Sequence, residues 1–209
     1  MLDRFANHRA QEKLKIGVVG TFATGVLFSQ LEDFRRGYPH IDLQLSTHNN
    51  RVDPAAEGLD YTIRYGSGAW HGTEAEFLCH APLAPLCTPD IAASLHSPAD
   101  ILRFTLLRSY RRDEWTAWMQ AAGEHPPSPT HRVMVFDSSV TMLEAAQAGV
   151  GIAIAPVDMF THLLASERIV QPFATQIELG SYWLTRLQSR AETPAMREFS
   201  RWLVEKMKK

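Results

Sequence analysis

The run Leu14-Lys-Ile-Gly-Val-Val-Gly20 is short, apolar and closed by glycine, and it leads straight into a segment carrying Thr21 and Thr24. It reads as a buried strand feeding a helix. Leu27, Leu31 and Phe34 recur at helical spacing as far as Arg36, with Thr21 and Thr24 as candidate N-caps and Gly37 and Pro39 as the stop. Ile41–Ser46 alternates apolar and polar residues, which predicts a strand with one covered face. Asp60–Tyr65 is a third strand, closed by Gly66-Ser-Gly68. This order is that of an open α/β sheet.

A second block of the same kind starts near Pro82. Leu83–Cys87, Thr105–Arg108, Val133–Phe136 and Gly149–Ala155 read as strands, the last fully buried and small enough for a neighbouring backbone to approach. Ser97-Pro98 opens a short helix, and Asp113 is placed to cap one carrying Trp115, Trp118 and Ala122 on one face, with Gly123 ending it. The three prolines within His125–Pro129 make a loop. Asp137-Ser-Ser139 leads into a helix through Ala148. Tyr182–Leu187 is the closing strand, and Thr193-Pro194 starts a helix with Met196, Phe199 and Leu203 inward and Lys206, Lys208 and Lys209 at its negative end. Two α/β blocks without a Ser- or Gly-rich linker suggest two lobes joined by crossover strands. Ligands of such sheets lie at the carboxyl ends of strands, so a cleft between lobes is the expected site.

Composition excludes several classes. The 209 residues carry 21 Lys+Arg against 23 Asp+Glu, a balance unlike that of a nucleic-acid-gripping surface. With 45% apolar and 21% charged residues the chain has material for a core. Its longest apolar stretch, Val150–Val157, is far short of the ~20 residues that span a bilayer, and the N-terminus lacks the apolar core of a secretory signal. Two cysteines make no disulfide framework.

The same physics appears twice. A helix start offers unsatisfied N–H groups and partial positive charge, and a hydroxyl adds a rotatable donor. Thr21 and Ser138–Ser139 therefore suit a carboxylate or phosphate, against the plainer reading of ordinary capping. Asp53 either caps the turn Pro54–Glu57 or accepts from an amine or amide of a ligand. Tyr182 is either a core aromatic or a hydroxyl closing over the cleft. Arg64, charged within a strand, needs a salt bridge or a cleft-lining role. Cys79, His80, Cys87 and His71 lack metal-ligand spacing and read as buried thiols with scattered histidines. No nucleophile elbow, P-loop or dinucleotide fingerprint occurs, so no catalytic, metal or cofactor site is expected.

Taken together, strand 14–20 with its hydroxyl-rich helix start, Asp60-Tyr-Thr-Ile-Arg-Tyr-Gly66, Pro82–Pro89, Asp137–Ser139 before Ala145–Pro156, and Val170–Phe173 resemble the effector-binding domain of LysR-type transcriptional regulators, from about residue 13 to the end. Within that family the chain is most similar to regulators of inducible chromosomal class C (AmpC-type) β-lactamases, whose effectors are cell-wall precursor and recycling peptides. The resemblance implies an α/β fold of two Rossmann-like subdomains with a ligand cleft between them, type 2 periplasmic-binding-protein-like, with crossovers near 81–85 and 182–185. Subdomain I would be 13–83 plus 184–209, subdomain II 84–183, and 1–12 the end of a linker. It implies effector contacts at Thr21, Asp53, Ser139 and Tyr182, with Phe22 and Ser138 beside them. It implies UDP-muramyl and anhydro-muramyl peptides as effectors, a homodimer of sensor domains (a tetramer in the full-length regulator), a cytoplasmic location and no membrane contact. Family members begin with a winged helix-turn-helix. None precedes Leu14, so the expectation is a sensor domain that meets DNA only through that other domain. A secreted solute-binding protein of the same fold, or a small transferase or lyase on the scaffold, are the alternatives.

Overall fold

The computed structural model describes residues 11–111 and 113–208. Most of the expected linker end at 1–12, and Lys209 of the C-terminal helix, lie outside the described residues. Strand β1 (Glu12–Val19) runs into one helical stretch made of α1 (Gly20–Phe22), a π-helical turn (Ala23–Leu27) and α2 (Phe28–Gly37). Strands β2 (Ile41–His48), β3 (Tyr61–Gly66), β4 (Thr73–His80) and β5 (Leu83–Leu86) follow. Then come α3 (Pro89–Ala92), a 3-10 turn (Pro98–Arg103), β6 (Leu106–Ser109), α4 (Glu114–Ala121), β7 (Val133–Phe136) and α5 (Ser139–Gln147). The chain ends with β8 (Ile152–Pro156), a second 3-10 turn (Val157–Phe160), α6 (Thr161–Ala165), β9 (Ser181–Leu187) and α7 (Pro194–Met207).

The chain divides into two compact units, residues 1–19, 27–79 and 182–209 in the first and 20–26 and 80–181 in the second. Gly20–Val26, which the sequence places with the first block, packs with the second. The reason lies at Gly25, where a Cβ would stand 2.4 Å from the carbonyl oxygen of Met159. Only glycine allows that approach.

The first unit is built on a five-stranded sheet of order β2-β1-β3-β9-β4. β1 is parallel to β2, with Glu12 opposite Ile41 and Val19 opposite His48, and parallel to β3. Leu14, Ile16, Val18, Ile63 and Leu184 are buried in it. Phe34 of α2 meets Trp202 of α7 at 4.8 Å and Phe199 edge-on at 5.4 Å, geometries that add to the apolar area such rings bury. α7 starts as its sequence predicts, with Pro194 in the first turn and Thr193 Oγ1 accepting from the Met196 N–H. Lys206 does not simply serve the helix end, since its Nζ lies 2.7 Å from Asp33. β4 has no counterpart in the sequence reading. It is an edge strand with Glu74, Glu76 and Phe77 exposed and Leu78 buried, so its apolar signal is faint.

The second unit has a four-stranded sheet of order β5-β8-β6-β7, with β5 antiparallel to β8 and β6 parallel to both its neighbours. β8 is buried along its whole length. Gly151 just before it faces the Thr105 carbonyl so closely that a Cβ would sit 2.2 Å from the oxygen, which is the close backbone approach its small residues predict. Trp115 and Trp118 are buried edge to face at 6.1 Å and donate their indole N–H groups to the carbonyls of Leu107 and Thr175. Asp113 precedes α4 but makes no capping bond through its side chain. Its backbone is already in the helical region (φ −95, ψ −4) rather than the extended conformation that aims a cap at the first turn.

Candidate functional site

The two hydroxyl-bearing helix starts belong to the same unit. α1 and α5 approach so that Cα atoms of the two come within 8 Å. The helix begins at Gly20, so Thr21 lies inside its first turn rather than at a cap position, and the residue is buried. Phe22 has no exposed surface. Thr24 falls within the π-helical turn.

Ser138 occupies the N-cap position of α5 in extended conformation, yet its side chain makes no capping bond. Its carbonyl accepts from Met142 N and Thr141 Oγ1, closing the first turn. Ser138 and Ser139 are both half-buried. The α5 start, uncapped by the Ser138 side chain, thus combines helix-terminal N–H groups with two hydroxyls, the arrangement that favours an oxyanion.

β6 and β7 bring a further segment to this place. Ser109 pairs with Phe136 in parallel register, so Tyr110–Arg111 and Asp137–Ser138 leave adjacent strands at their carboxyl ends. Glu114 is 4% exposed, and its carboxylate accepts from the Ser109 N–H (3.0 Å) and hydroxyl (2.7 Å). Burial pushes the Glu114 carboxyl up, and the Ser109 bonds and the Arg111 and Arg108 charges oppose that shift. No sequence motif marks this loop, which becomes relevant only through the register of β6 with β7.

Asp53 and Tyr182 belong to the first unit. Asp53 is exposed, and its Oδ1 accepts from Ala55 N (3.0 Å) and Ala56 N (3.2 Å), so it caps the turn after β2. Tyr182 is 2% exposed, its ring edge-on to Tyr65 at 5.4 Å. Arg64 resolves its place in β3 by stacking, its guanidinium 4.6 Å from the centre of the Trp70 ring.

Cys87 is buried, which pushes its thiol up to about 11, and Cys79 is also a free thiol. Among the described residues no group of three or more His, Cys, Asp or Glu side chains is arranged to hold a metal ion, and no helix is long and apolar enough to cross a membrane.

The family model for the LysR substrate binding domain matches residues 7–208. This chain belongs to the LysR family. It is 78% identical over 203 residues to the HTH-type transcriptional activator AmpR of Citrobacter freundii, covering 97% of this chain and 70% of that regulator. The solved AmpR effector binding domain from Citrobacter freundii superposes with a TM-score of 0.94 at 76% identity, covering 95% of this chain and 99% of that one. A second Citrobacter freundii effector-binding-domain structure carries three substitutions, threonine to valine, serine to alanine and tyrosine to phenylalanine. It matches with a TM-score of 0.93 at 75% identity over 94% of this chain and 100% of that one. The LysR effector-binding fold, two α/β subdomains of periplasmic-binding-protein type, accounts for the two sheets and for the sequence resemblance.

Proposed function

We propose that this LysR-family domain senses cell-wall muropeptides and thereby controls β-lactamase gene expression. The observation that carries the reading is the pairing, within one unit, of two hydroxyl-bearing helix starts, Thr21 on α1 and Ser138–Ser139 on α5, where the Ser138 side chain makes no capping bond. Support comes from the substituted relative. Its three altered positions lose only a hydroxyl's hydrogen bonding and lie 118 and 43 residues apart, the same spacing and residue types as Thr21, Ser139 and Tyr182 here.

A sugar-linked peptide ending in D-alanine or diaminopimelate carries carboxylates, amides and an ammonium. Thr21 and Ser139 hold carboxylate or carbonyl oxygens, with Ser138 beside them and Phe22, the buried last residue of α1, anchoring that turn. Asp53, with Oδ1 engaged by its turn, offers Oδ2 to an N–H or ammonium. Tyr182 meets a peptide oxygen. Each charge-assisted bond contributes about 1.5–3 kcal/mol, so a few reach micromolar binding after association costs. UDP-muramyl and anhydro-muramyl peptides act oppositely by preferring different states of the protein, a population shift in which no bond is made or broken. The domain therefore works without catalysis, as a cytoplasmic homodimer within a tetrameric regulator whose DNA contacts belong to a winged helix-turn-helix domain.

Titration calorimetry with UDP-muramyl and anhydro-muramyl peptides tests this. Micromolar binding that Ser139→Ala and Thr21→Val each weaken about tenfold is expected. A folded domain that gives no heat with either peptide overturns the reading.

A further inference from the structure

We propose that Trp70, on the loop after β3, is a saccharide-stacking residue of the effector site. The inference deepens the muropeptide reading and rests on it. The residues assigned above meet the effector's carboxylates, amides and ammonium, which leaves its sugar ring without a partner.

Within the first unit, the loop lies where the effector residues of that unit lie. β2 and β3 both run parallel to β1, so Asp53 after β2 and Trp70 after β3 leave the sheet at the same end. Tyr65, near the end of β3, is ring-to-ring with Tyr182 at 5.4 Å. Trp183, next to Tyr182, donates its indole N–H to the Gly66 carbonyl at 3.0 Å. These are the carboxyl ends of strands, where open α/β sheets take their ligands.

Two indoles lie against the glycines of this loop. A Cβ on Gly66 would stand 2.8 Å from Trp70 Cζ2, and one on Gly68 would stand 2.7 Å from Trp183 Cζ2. Glycine at both positions keeps the space that the rings occupy. The polar ends of the two rings differ. The Trp183 N–H is engaged by the Gly66 carbonyl, as suits a ring that pins the loop. Trp70 is half-buried, and its N–H makes no hydrogen bond among the described residues. The Arg64 guanidinium backs the Trp70 ring at 4.6 Å from its centre, an attraction that holds the ring's plane.

Trp70 thus offers a braced flat ring with an N–H at its edge. A sugar ring fits both features. Its C–H face is apolar and slightly positive, so it is drawn to the negative face of an aromatic ring, and its hydroxyl and N-acetyl oxygens accept from an indole N–H. A uracil base would stack as well, but only the nucleotide-linked effector carries one.

Calorimetry of wild type, Trp70→Ala and Trp70→Phe with UDP-muramyl peptide, anhydro-muramyl peptide and the sugar-free stem peptide tests this. Trp70→Ala is expected to weaken both sugar-bearing ligands about tenfold, with Trp70→Phe closer to wild type because it keeps a ring. Affinity for the sugar-free peptide should stay within about twofold of wild type, which also shows that the variants are folded. Loss confined to the nucleotide-linked peptide assigns the ring to uracil and overturns the proposal. An equal loss for the sugar-free peptide overturns it too, as do sugar-bearing affinities within about twofold of wild type in both variants. Wild-type silence toward all three ligands instead overturns the muropeptide reading, and this inference with it.

Discussion

The side-chain amide of Asn50 pairs with the backbone of Tyr65 as a strand residue would, its Nδ2 donating to the Tyr65 carbonyl and its Oδ1 accepting the Tyr65 N–H, both at 2.8 Å. Asn50 sits at φ +69, a left-handed conformation that asparagine tolerates better than most residues. The amide thereby completes the end of β3 beyond its strand partners. Asn50→Ala removes both bonds and keeps the strained backbone, and should cost about 1–3 kcal/mol in urea unfolding. Asn50→Gly relieves the backbone and removes the same bonds, so it should lose less. Equal stability of Asn50→Ala and wild type would show that the pairing contributes nothing.

His48, the last residue of β2, accepts the Asn50 N–H on Nδ1 at 3.0 Å. Burial first, and the Arg64 charge second, lower its pKa to about 4, against about 6.5 in an unfolded chain. The folded form therefore disfavours the proton. The stability this gives is complete above pH 6.5 and is lost as pH falls from there toward 4. Chemical denaturation at stepped pH should show wild type losing stability over that window by more than His48→Asn does. A His48 imidazole that titrates near 6.5 by NMR would contradict the assignment.

Much of this fold is legible because local signals agree with tertiary demand. β8 is a continuous apolar run because it is buried along its whole length, as β1 is from Ile16 to Val19. α7 announces itself through Thr193-Pro194, whose hydroxyl does cap the first turn. Other features depend on neighbours remote in sequence. Gly20–Val26 joins the second unit through Gly25 against Met159, a contact no local pattern encodes. Glu114 follows Asp113 and reads as a surface acid, yet it is buried under Ser109. In the site, Thr21 and Ser139 were readable as hydroxyls at helix starts. Tyr110 and Arg111 were not, since their place beside Ser138 is set by strand register.

Two glycines of the first helical stretch should respond oppositely to alanine. At Gly25 a Cβ would lie 2.4, 2.8 and 2.9 Å from backbone atoms of Met159, which cannot rotate away. Gly25→Ala should destabilise by about 1–3 kcal/mol, as overpacking does. Gly37, the last residue of α2, has nothing within 4 Å of a built Cβ and no positive φ. Gly37→Ala should stabilise by about 0.4–1 kcal/mol by restricting the unfolded chain. Thermal melting of the two variants checks both signs, and a Gly25→Ala protein as stable as wild type would mean the approach to Met159 is soft.

β7 is an edge strand, and its consecutive residues Val133, Met134 and Val135 are 40%, 45% and 55% exposed. Successive residues face opposite sides of a strand, so apolar surface lies open on both faces of an edge whose N–H and C=O groups are also unpaired on one side. Native proteins cover or charge such edges, and here none of the three is charged. We propose that the homodimer, if it forms as proposed, uses this edge, with a second copy of the chain as the cover. Val135→Lys places a charge in that contact and should weaken dimerisation at least about tenfold in sedimentation equilibrium. Its melting temperature should change little when measured at a concentration where wild type is monomeric, because an exposed position contributes within about 0.5 kcal/mol. If Val135→Lys dimerises as tightly as wild type, β7 is not the dimer edge.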